Sequence, residues 1–239
     1  MNLLAFDTST DTLSIAVQRG SVVHGHTGAG GAQASRALLQ NVRALLAQAG
    51  LGFCDLDAVV FGRGPGSFTG LRTACSVAQG LAFGARGGQG VPVLPVDTLL
   101  AVAEQTRAEH GASQIVATLD ARMDEVYWAR WSWQDDGTGG QWTGDGEIDL
   151  CPPQELAVPQ GWVVAGNARA SYGDRLAPGA RHLCALPTAD ALLRLAPTLL
   201  ARGEALTADA ALPLYVRDKV AQTTAERDAA RRASAGPRP

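Results

Sequence analysis

Phe61-Gly-Arg-Gly-Pro-Gly-Ser-Phe-Thr-Gly-Leu-Arg72 is the stretch from which the rest of the chain can be read. Behind it, Ala58-Val-Val-Phe61 is a short, β-branched apolar run, which predicts a buried strand. Ahead of it, residues 71–83 are rich in Ala, Leu and Val and close on Gly84, which predicts a helix with a glycine stop. The whole reads as strand, glycine-rich loop and helix N-terminus, with Ser67 or Thr69 offered as N-cap. Glycines at 62, 64 and 66 permit positive φ and Pro65 stiffens the turn between them. Backbone N–H groups at such a corner either hold an anion or simply complete a turn.

The general phosphate and nucleophile motifs do not fit. A dinucleotide fingerprint, G-x-G-x-x-G, fails because the glycine after Gly64 and Gly66 is Gly70, one residue late. A P-loop needs a lysine that is absent here, and G-x-S-x-G fails because Ser67 is followed by Phe68-Thr69-Gly70.

Working back to the N-terminus, residues 3–6 form a strand that ends at Asp7, and 13–18 with 22–26 form a hairpin around Arg19-Gly-Ser21. After a glycine-rich break at 28–31 comes a helix over 34–49, stopped by Gly50. Its Leu38, Val42, Leu45 and Ala49 make one apolar stripe, and Leu39 with Leu46 a second beside it. One stripe docks a helix on a sheet. The extra breadth points either to a second partner or to a helix wedged between two elements. Downstream, 91–96 is a strand and 97–110 a connecting helix.

Then the pattern restarts. Ile115-Val-Ala-Thr-Leu119 ends at Asp120 as the first strand ends at Asp7, 113 residues earlier. Asp7-Thr-Ser-Thr-Asp11-Thr-Leu13 and Asp120-Ala-Arg-Met-Asp124-Glu-Val126 both read D-x-x-x-D-x-[LV], which suggests duplication of one supersecondary unit. A strand over 126–133, a loose hairpin tip at 135–146, a strand at 162–165, a helix over 188–202 kinked at Pro197 and an extended segment at 212–216 complete the series. The expected architecture is α/β: an N-terminal lobe over 1–97, a connecting helix over 98–112, a C-terminal lobe over 113–218, and a disordered tail over 219–239. Two β-β-β-α-β-α lobes of this kind resemble the duplicated actin/Hsp70/hexokinase (RNase H-like) architecture, in which nucleotide lies in the cleft between lobes. That resemblance implies no particular activity.

Composition sets the outer bounds. A chain of 239 residues with 46% hydrophobic and 18% charged residues is an ordinary globular protein, and a net charge of −3 gives no basic footprint for gripping nucleic acid. The N-terminus has no basic n-region and its apolar run is cut by Asp7, so it reads as a first strand and not a signal peptide. Cys54, Cys75, Cys151 and Cys184 are scattered without a C-x-x-C pair, which argues for a reduced, cytoplasmic, metal-free chain.

Five stretches together resemble the TsaB (YeaZ) family, the accessory subunits for threonylcarbamoyl-adenosine modification of tRNA. They are Leu4-Ala-Phe-Asp-Thr-Ser-Thr10, Gly64-Pro-Gly-Ser-Phe-Thr-Gly-Leu-Arg72, Pro95-Val-Asp-Thr-Leu99, Leu119-Asp-Ala-Arg-Met-Asp-Glu-Val-Tyr127 and Pro213-Leu-Tyr-Val-Arg-Asp218, in order along all but the tail. The resemblance implies a non-catalytic role. The related catalytic subunit, TsaD, carries an H-x-x-x-H metal pair where this chain has Thr98 and Val102, and a glycine-rich second turn where this chain has Asp120-Ala-Arg-Met123. It also implies pairing through the N-terminal lobe, with a TsaD-like subunit or with a second copy, over the helices at 34–49 and 69–84. The interface residues so implied are Leu39, Leu46, Arg72 and the close-approach row Ala74, Ala78 and Ala82. A TsaE-like ATPase is a further partner, tRNA is reached only indirectly, and ATP or ADP belongs to the interface of the larger complex.

Other residues carry two readings each. Asp7, Thr8 and Ser9 either touch nucleotide phosphate or its metal, or form a turn held by Asx-type hydrogen bonds. His24 and His26 share a strand face but have no third ligand in the sequence pattern. Asp120 and Asp124 pass for a carboxylate pair but are explained as turn residues by the repeat. Trp128, Trp131, Trp133 and Trp142 could stack bases, yet Tyr127, Ala129, Trp131 and Trp133 share one strand face, which favours core packing. The competing functions are a phosphotransferase, which needs a second glycine-rich phosphate loop, a metalloprotease, which needs metal histidines, and a free-standing homodimeric regulator.

Overall fold

The computed structural model describes residues 1–31, 34–135, 137, 139–144 and 147–217. The expectation for the tail at 219–239 lies outside the described residues. The first half runs β1 (Asn2–Asp7), β2 (Thr12–Arg19), β3 (Val22–Ala29), α1 (Ala34–Ala49), β4 (Ala58–Gly64), α2 (Phe68–Gly88), β5 (Val93–Asp97) and α3 (Thr98–His110). The second runs β6 (Gln114–Asp120), β7 (Val126–Gln134), β8 (Gln141–Gly144), β9 (Asp149–Cys151), β10 (Val163–Gly166), α4 (Ala168–Tyr172), β11 (Arg181–Cys184) and α5 (Ala189–Ala201).

Two sheets carry the same topology. The first has the order β3-β2-β1-β4-β5 and the second β8-β7-β6-β10-β11, with β9 on the side of β7. In each, the first strand pairs antiparallel with its hairpin partner and parallel with the strand that follows a crossover. This is the duplicated two-lobe, actin-like α/β arrangement. The second copy is reduced: a 3-10 turn at Pro153–Glu155 stands where α1 would be, and α4 is a five-residue helix.

Both faces of the first sheet are buried, and its alternation sorts side chains by size. Leu4, Phe6, Ile15, Val59 and Phe61 face α1 and α2, while Leu3, Ala5, Ala16, Ala58 and Val60 belong to a core shared with α3, α5 and the second sheet. The alanines on that inner face let a helix lie close to the strands. The helices exchange places: α3 packs on β6 and α5 packs on β1 and β2, so each lobe's last helix contacts the other lobe's sheet. Ser14 of β2 accepts the backbone N–H of Ala189 at 2.8 Å, tying the start of α5 to the first sheet, and Thr188 caps the same helix through Ala191 N–H at 3.1 Å.

Several expectations need correction. Helix α2 begins at Phe68, and its φ/ψ leave the helical region at Ala85, so the stop follows Gly84 as the glycine signal implied. The segment at 135–146 is more than a hairpin tip, because β8 pairs with β7 within it. The residues at 212–216 join neither sheet. The 113-residue match of Asp7 with Asp120 also fails as a structural equivalence. Asp7 shares the inner face of β1 with Leu3 and Ala5, whereas Asp120 is hydrogen-bonded by α4 on the opposite, outer side of its sheet. The unit is duplicated in topology, but the aspartates are displaced by one strand position.

Candidate functional site at the cleft between the lobes

The glycine-rich loop exists to seat the first turn. A Cβ on Gly62 would overlap the Asp7 carboxylate, one on Gly66 would overlap Ser9, and one on Gly70 would overlap the Thr8 carbonyl. With hydrogen in those places, the loop and the start of α2 close over Asp7-Thr8-Ser9. Thr8 Oγ1 donates to the Gly70 carbonyl at 2.7 Å, and Ser67 N–H donates to the Ser9 carbonyl at 2.7 Å. Asp7 Oδ1 accepts from Ser9 N–H at 2.8 Å and from Ser9 Oγ at 2.6 Å, an Asx turn. All three side chains are buried, with Asp7 and Thr8 at 0% exposure. Asp7 Oδ1 and the hydroxyl protons of Thr8 and Ser9 are engaged inside the lobe. The three residues form the hydrogen-bonded turn, with Ser9 at the wall of the cleft.

Asp7 Oδ2 is the exception, buried without a partner. Burial pushes the Asp7 carboxyl up to about 6, against the lowering effect of its bonds from Ser9.

The second turn faces the first across a cleft of about 480 Å³. Arg122, Met123 and Asp124 are three consecutive non-glycine residues at positive φ (61°, 55° and 63°). Side chains there are strained by about 1 kcal/mol each, so the neighbours must hold them. They do. Asp124 takes both Arg175 Nη atoms at 2.8 and 2.6 Å, and Asp120 Oδ1 accepts from Arg122 N–H at 2.7 Å. Asp120 also accepts from Tyr172 Oη at 2.7 Å and Ser171 Oγ at 2.8 Å. Burial raises its carboxyl, but Tyr172, Arg122 and Ser171 outweigh that and hold it below the usual range. The Arg122 guanidinium then spans the cleft, 3.2 Å from Asp120 and 3.1 Å from Asp11 of the other lobe. The cleft therefore has buried, internally bonded side chains on the first lobe and a bridging arginine on the second.

A strap closes the rim. Ala211 accepts from Gln79 Nε2 at 2.9 Å, and Leu214 N–H donates to the Arg63 carbonyl at 2.7 Å. Tyr215 packs on Phe68 with centroids 5.4 Å apart, and its hydroxyl accepts from Arg72 Nε at 3.1 Å. Arg217 reaches the second lobe, where it pairs with Glu125 and donates to the Arg122 carbonyl at 3.3 Å. Residues 211–217 therefore tie the loop of the first lobe to the turn of the second. Arg217→Ala removes the far anchor and is expected to cost about 1–2 kcal/mol of unfolding free energy, with faster amide exchange at Leu214. Urea unfolding and hydrogen exchange check it; unchanged exchange would show that the strap is held by its first-lobe contacts without Arg217.

The residues nominated for a partner interface divide sharply. Leu39 is 45% exposed and Arg72 is exposed. Leu46, Ala74, Ala78 and Ala82 are 0–2% exposed and sit in the lobe's own core. The close approach those alanines permit is to their own sheet. The exposed side of α2 carries Arg72, Ser76, Gly80 and Phe83, of which Phe83 is 74% exposed, and a Cβ on Gly80 would meet nothing. Thr98 and Val102 are fully buried, and Thr98 Oγ1 accepts from Gly64 N–H at 3.1 Å. His24 and His26 lie half-buried on the edge strand β3, and among the described residues no three His, Cys, Asp or Glu side chains group as metal ligands. Tyr127, Trp131 and Trp133 pack against the core between the sheets, as their shared face with Ala129 implied. Among the described residues no helix is long and apolar enough to cross a membrane.

Two like-ordered sheets with exchanged helices, a cleft between them and a seated first turn define a two-lobe protein of the actin-like class. The comparisons narrow this. The chain is 31% identical to the tRNA threonylcarbamoyladenosine biosynthesis protein TsaB of Escherichia coli, over 92% of this chain and 96% of the relative. It is 34% identical to the Haemophilus influenzae protein of the same name, over 92% and 95%. A solved structure described as YeaZ from Pseudomonas aeruginosa superposes with a TM-score of 0.80 at 40% identity, covering 90% of this chain and 99% of that one. The family profile of TsaD, tRNA N6-adenosine threonylcarbamoyltransferase, matches residues 28–138. The chain belongs to the TsaB (YeaZ) family.

Proposed function

We propose that this chain takes part in threonylcarbamoyladenosine biosynthesis as a non-catalytic subunit. It pairs through its first lobe with a TsaD-like catalytic subunit and supports N6-threonylcarbamoylation of adenosine 37 in tRNAs that read ANN codons. The similarity to TsaB over nine-tenths of the chain carries the reading. Supporting it, Thr98 and Val102 stand where the resemblance puts the histidines of the catalytic relative, and both are occupied inside the core. We place the pairing surface on the outward sides of α1 and α2, around Leu39, Arg72, Gly80 and Phe83. A TsaE-like ATPase docks on that pair, and any ATP or ADP lies at the interface of the assembly and not in this cleft. A second copy of the chain competes for the same surface.

The test is threonylcarbamoyl transfer to unmodified tRNA by TsaD with the other pathway components, with and without this chain. Product should require the chain, and the chain without TsaD should give none. An unchanged yield would remove the accessory role. Gly80→Glu supplies the sharper arm: it adds a helix-favouring residue at an open position, so the fold is kept, while a charge enters the pairing face. We expect loss of both pairings, read by size-exclusion chromatography with light scattering. Loss of one with the other intact would refute the shared surface.

A further inference from the structure

A second cavity, of about 380 Å³, lies between α3, α5 and the β7–β8 hairpin and shares no residue with the cleft. Its volume falls within the roughly 300–1,000 Å³ of small-molecule sites. Trp133, Trp142, Leu195 and Leu199 make apolar walls, and Trp133 meets Trp142 edge-on at 5.4 Å. The polar lining is built rather than incidental. Glu104, 1% exposed, accepts from Arg107 Nε at 2.9 Å and Nη2 at 3.0 Å, from Trp142 Nε1 at 3.0 Å and from Arg194 Nε at 2.9 Å. Its acceptor capacity is filled. The remaining carboxylates at the lining are Asp97, which Arg63 holds at 2.6 Å, and Glu204.

The arginines are not filled. Nη1 of Arg107 and Nη1 of Arg194 have no hydrogen-bond partner among the described residues. Both guanidiniums are already fixed, Arg107 by Glu104 and by stacking over Trp133 at 4.2 Å, Arg194 by Glu104 and Gln105. Spare donors on immobilised forks, beside flat aromatic walls, match a ligand with an anionic acceptor end and an apolar body. We propose that this cavity binds a small organic anion: one or two fused rings against the tryptophans, with one carboxylate-, sulfonate- or phosphate-type group on the free N–H groups of Arg107 and Arg194.

Calorimetric titration with naphthalene-2-sulfonate, and with its uncharged analogue naphthalene-2-sulfonamide, tests this on the full chain. One site per chain is expected, with the sulfonate about tenfold tighter, the difference one charge-assisted contact makes. Thr198→Trp, at an exposed position of the lining, fills the cavity and should abolish binding of both probes with the thermal midpoint unchanged. Arg194→Lys keeps a cation for Glu104 but loses the spare donor, and should narrow the preference to about threefold or less. Absence of saturable binding at millimolar probe, equal affinities for the two probes, or binding that survives Thr198→Trp would each overturn the proposal.

Discussion

Replacing Glu104 with alanine is expected to lower the unfolding free energy by about 3 kcal/mol at pH 7, the lower end of the range for breaking a buried ion pair. The carboxylate links three elements: it stands on α3, binds Arg194 of α5, and receives the indole N–H of Trp142 on β8. The lower end applies because Arg107 and Arg194 are about a third exposed (30% and 37%), so water relieves part of their loss. Trp142 has no such relief at 8% exposure, and an indole N–H left without an acceptor adds its own penalty. For a chain of this size the shift corresponds to a thermal midpoint lower by on the order of 10 °C. Burial alone would raise the Glu104 carboxyl, but Arg107, Trp142 and Arg194 together hold it below its ordinary value. Its contribution is therefore present above the unfolded-state carboxylate range and is lost as pH falls through the lower, folded-state value. Urea unfolding at pH 7 decides: a loss below about 1 kcal/mol would mean that solvent replaces the carboxylate, and the linking role would fail.

That cluster also marks where the sequence stops being legible. The first lobe was readable because each strand is a compact apolar run and each helix has a periodic stripe closed by glycine; α1 lies where Leu38, Val42, Leu45 and Ala49 put it. The second lobe is built from fragments. α4 has five residues and β8 and β11 four each, too short to carry a period, and β8 is set among glycines. Nothing in the spacing of Glu104, Trp142 and Arg194 announces that they meet, since the contact depends on α3 and α5 lying together between the sheets. Periodicity also failed in a systematic way at α2. A row of alanines four apart shows that they share a face, but not whether that face meets the helix's own sheet or another chain. Here it is the sheet, because small inward residues are what the tightly packed core needs. The signal for the outward face was the glycine at 80 beside the apolar residue at 83, and it was masked by the longer alanine row.

The glycine-rich loop is legible by its shape, whereas its close fit depends on Asp7, which the sequence offers as a turn residue or a phosphate contact and not as the side chain that Gly62 makes room for. Asp7→Asn tests what that burial means. The Asp7 carboxyl is raised from 3.8 to about 6 by desolvation, with Ser9 opposing. An acid whose folded value is raised keeps its proton longer in the native state than in the unfolded chain. Between about pH 4 and pH 6 unfolding therefore releases a proton, and stability falls as pH rises. Two units at about 1.4 kcal/mol each put the swing near 3 kcal/mol, lost by pH 7. An asparagine has no proton to lose and keeps an oxygen for Ser9 N–H and Oγ, so the variant should lack this part of the pH dependence. The unpartnered Oδ2 points the same way, since a carboxylate oxygen with no donor is tolerated far better as the neutral acid. The measurement is unfolding free energy against pH for both proteins, because Glu104 and Asp120 act in the opposite direction and cancel only in the difference. The variant should gain on the parent by roughly 2–2.5 kcal/mol in going from pH 4 to pH 7, the rest of the difference developing below pH 4. Parallel curves would show that the Asp7 carboxyl is not raised in the fold and ionises there as it does in the unfolded chain, with its second oxygen held by a donor outside the protein's own side chains.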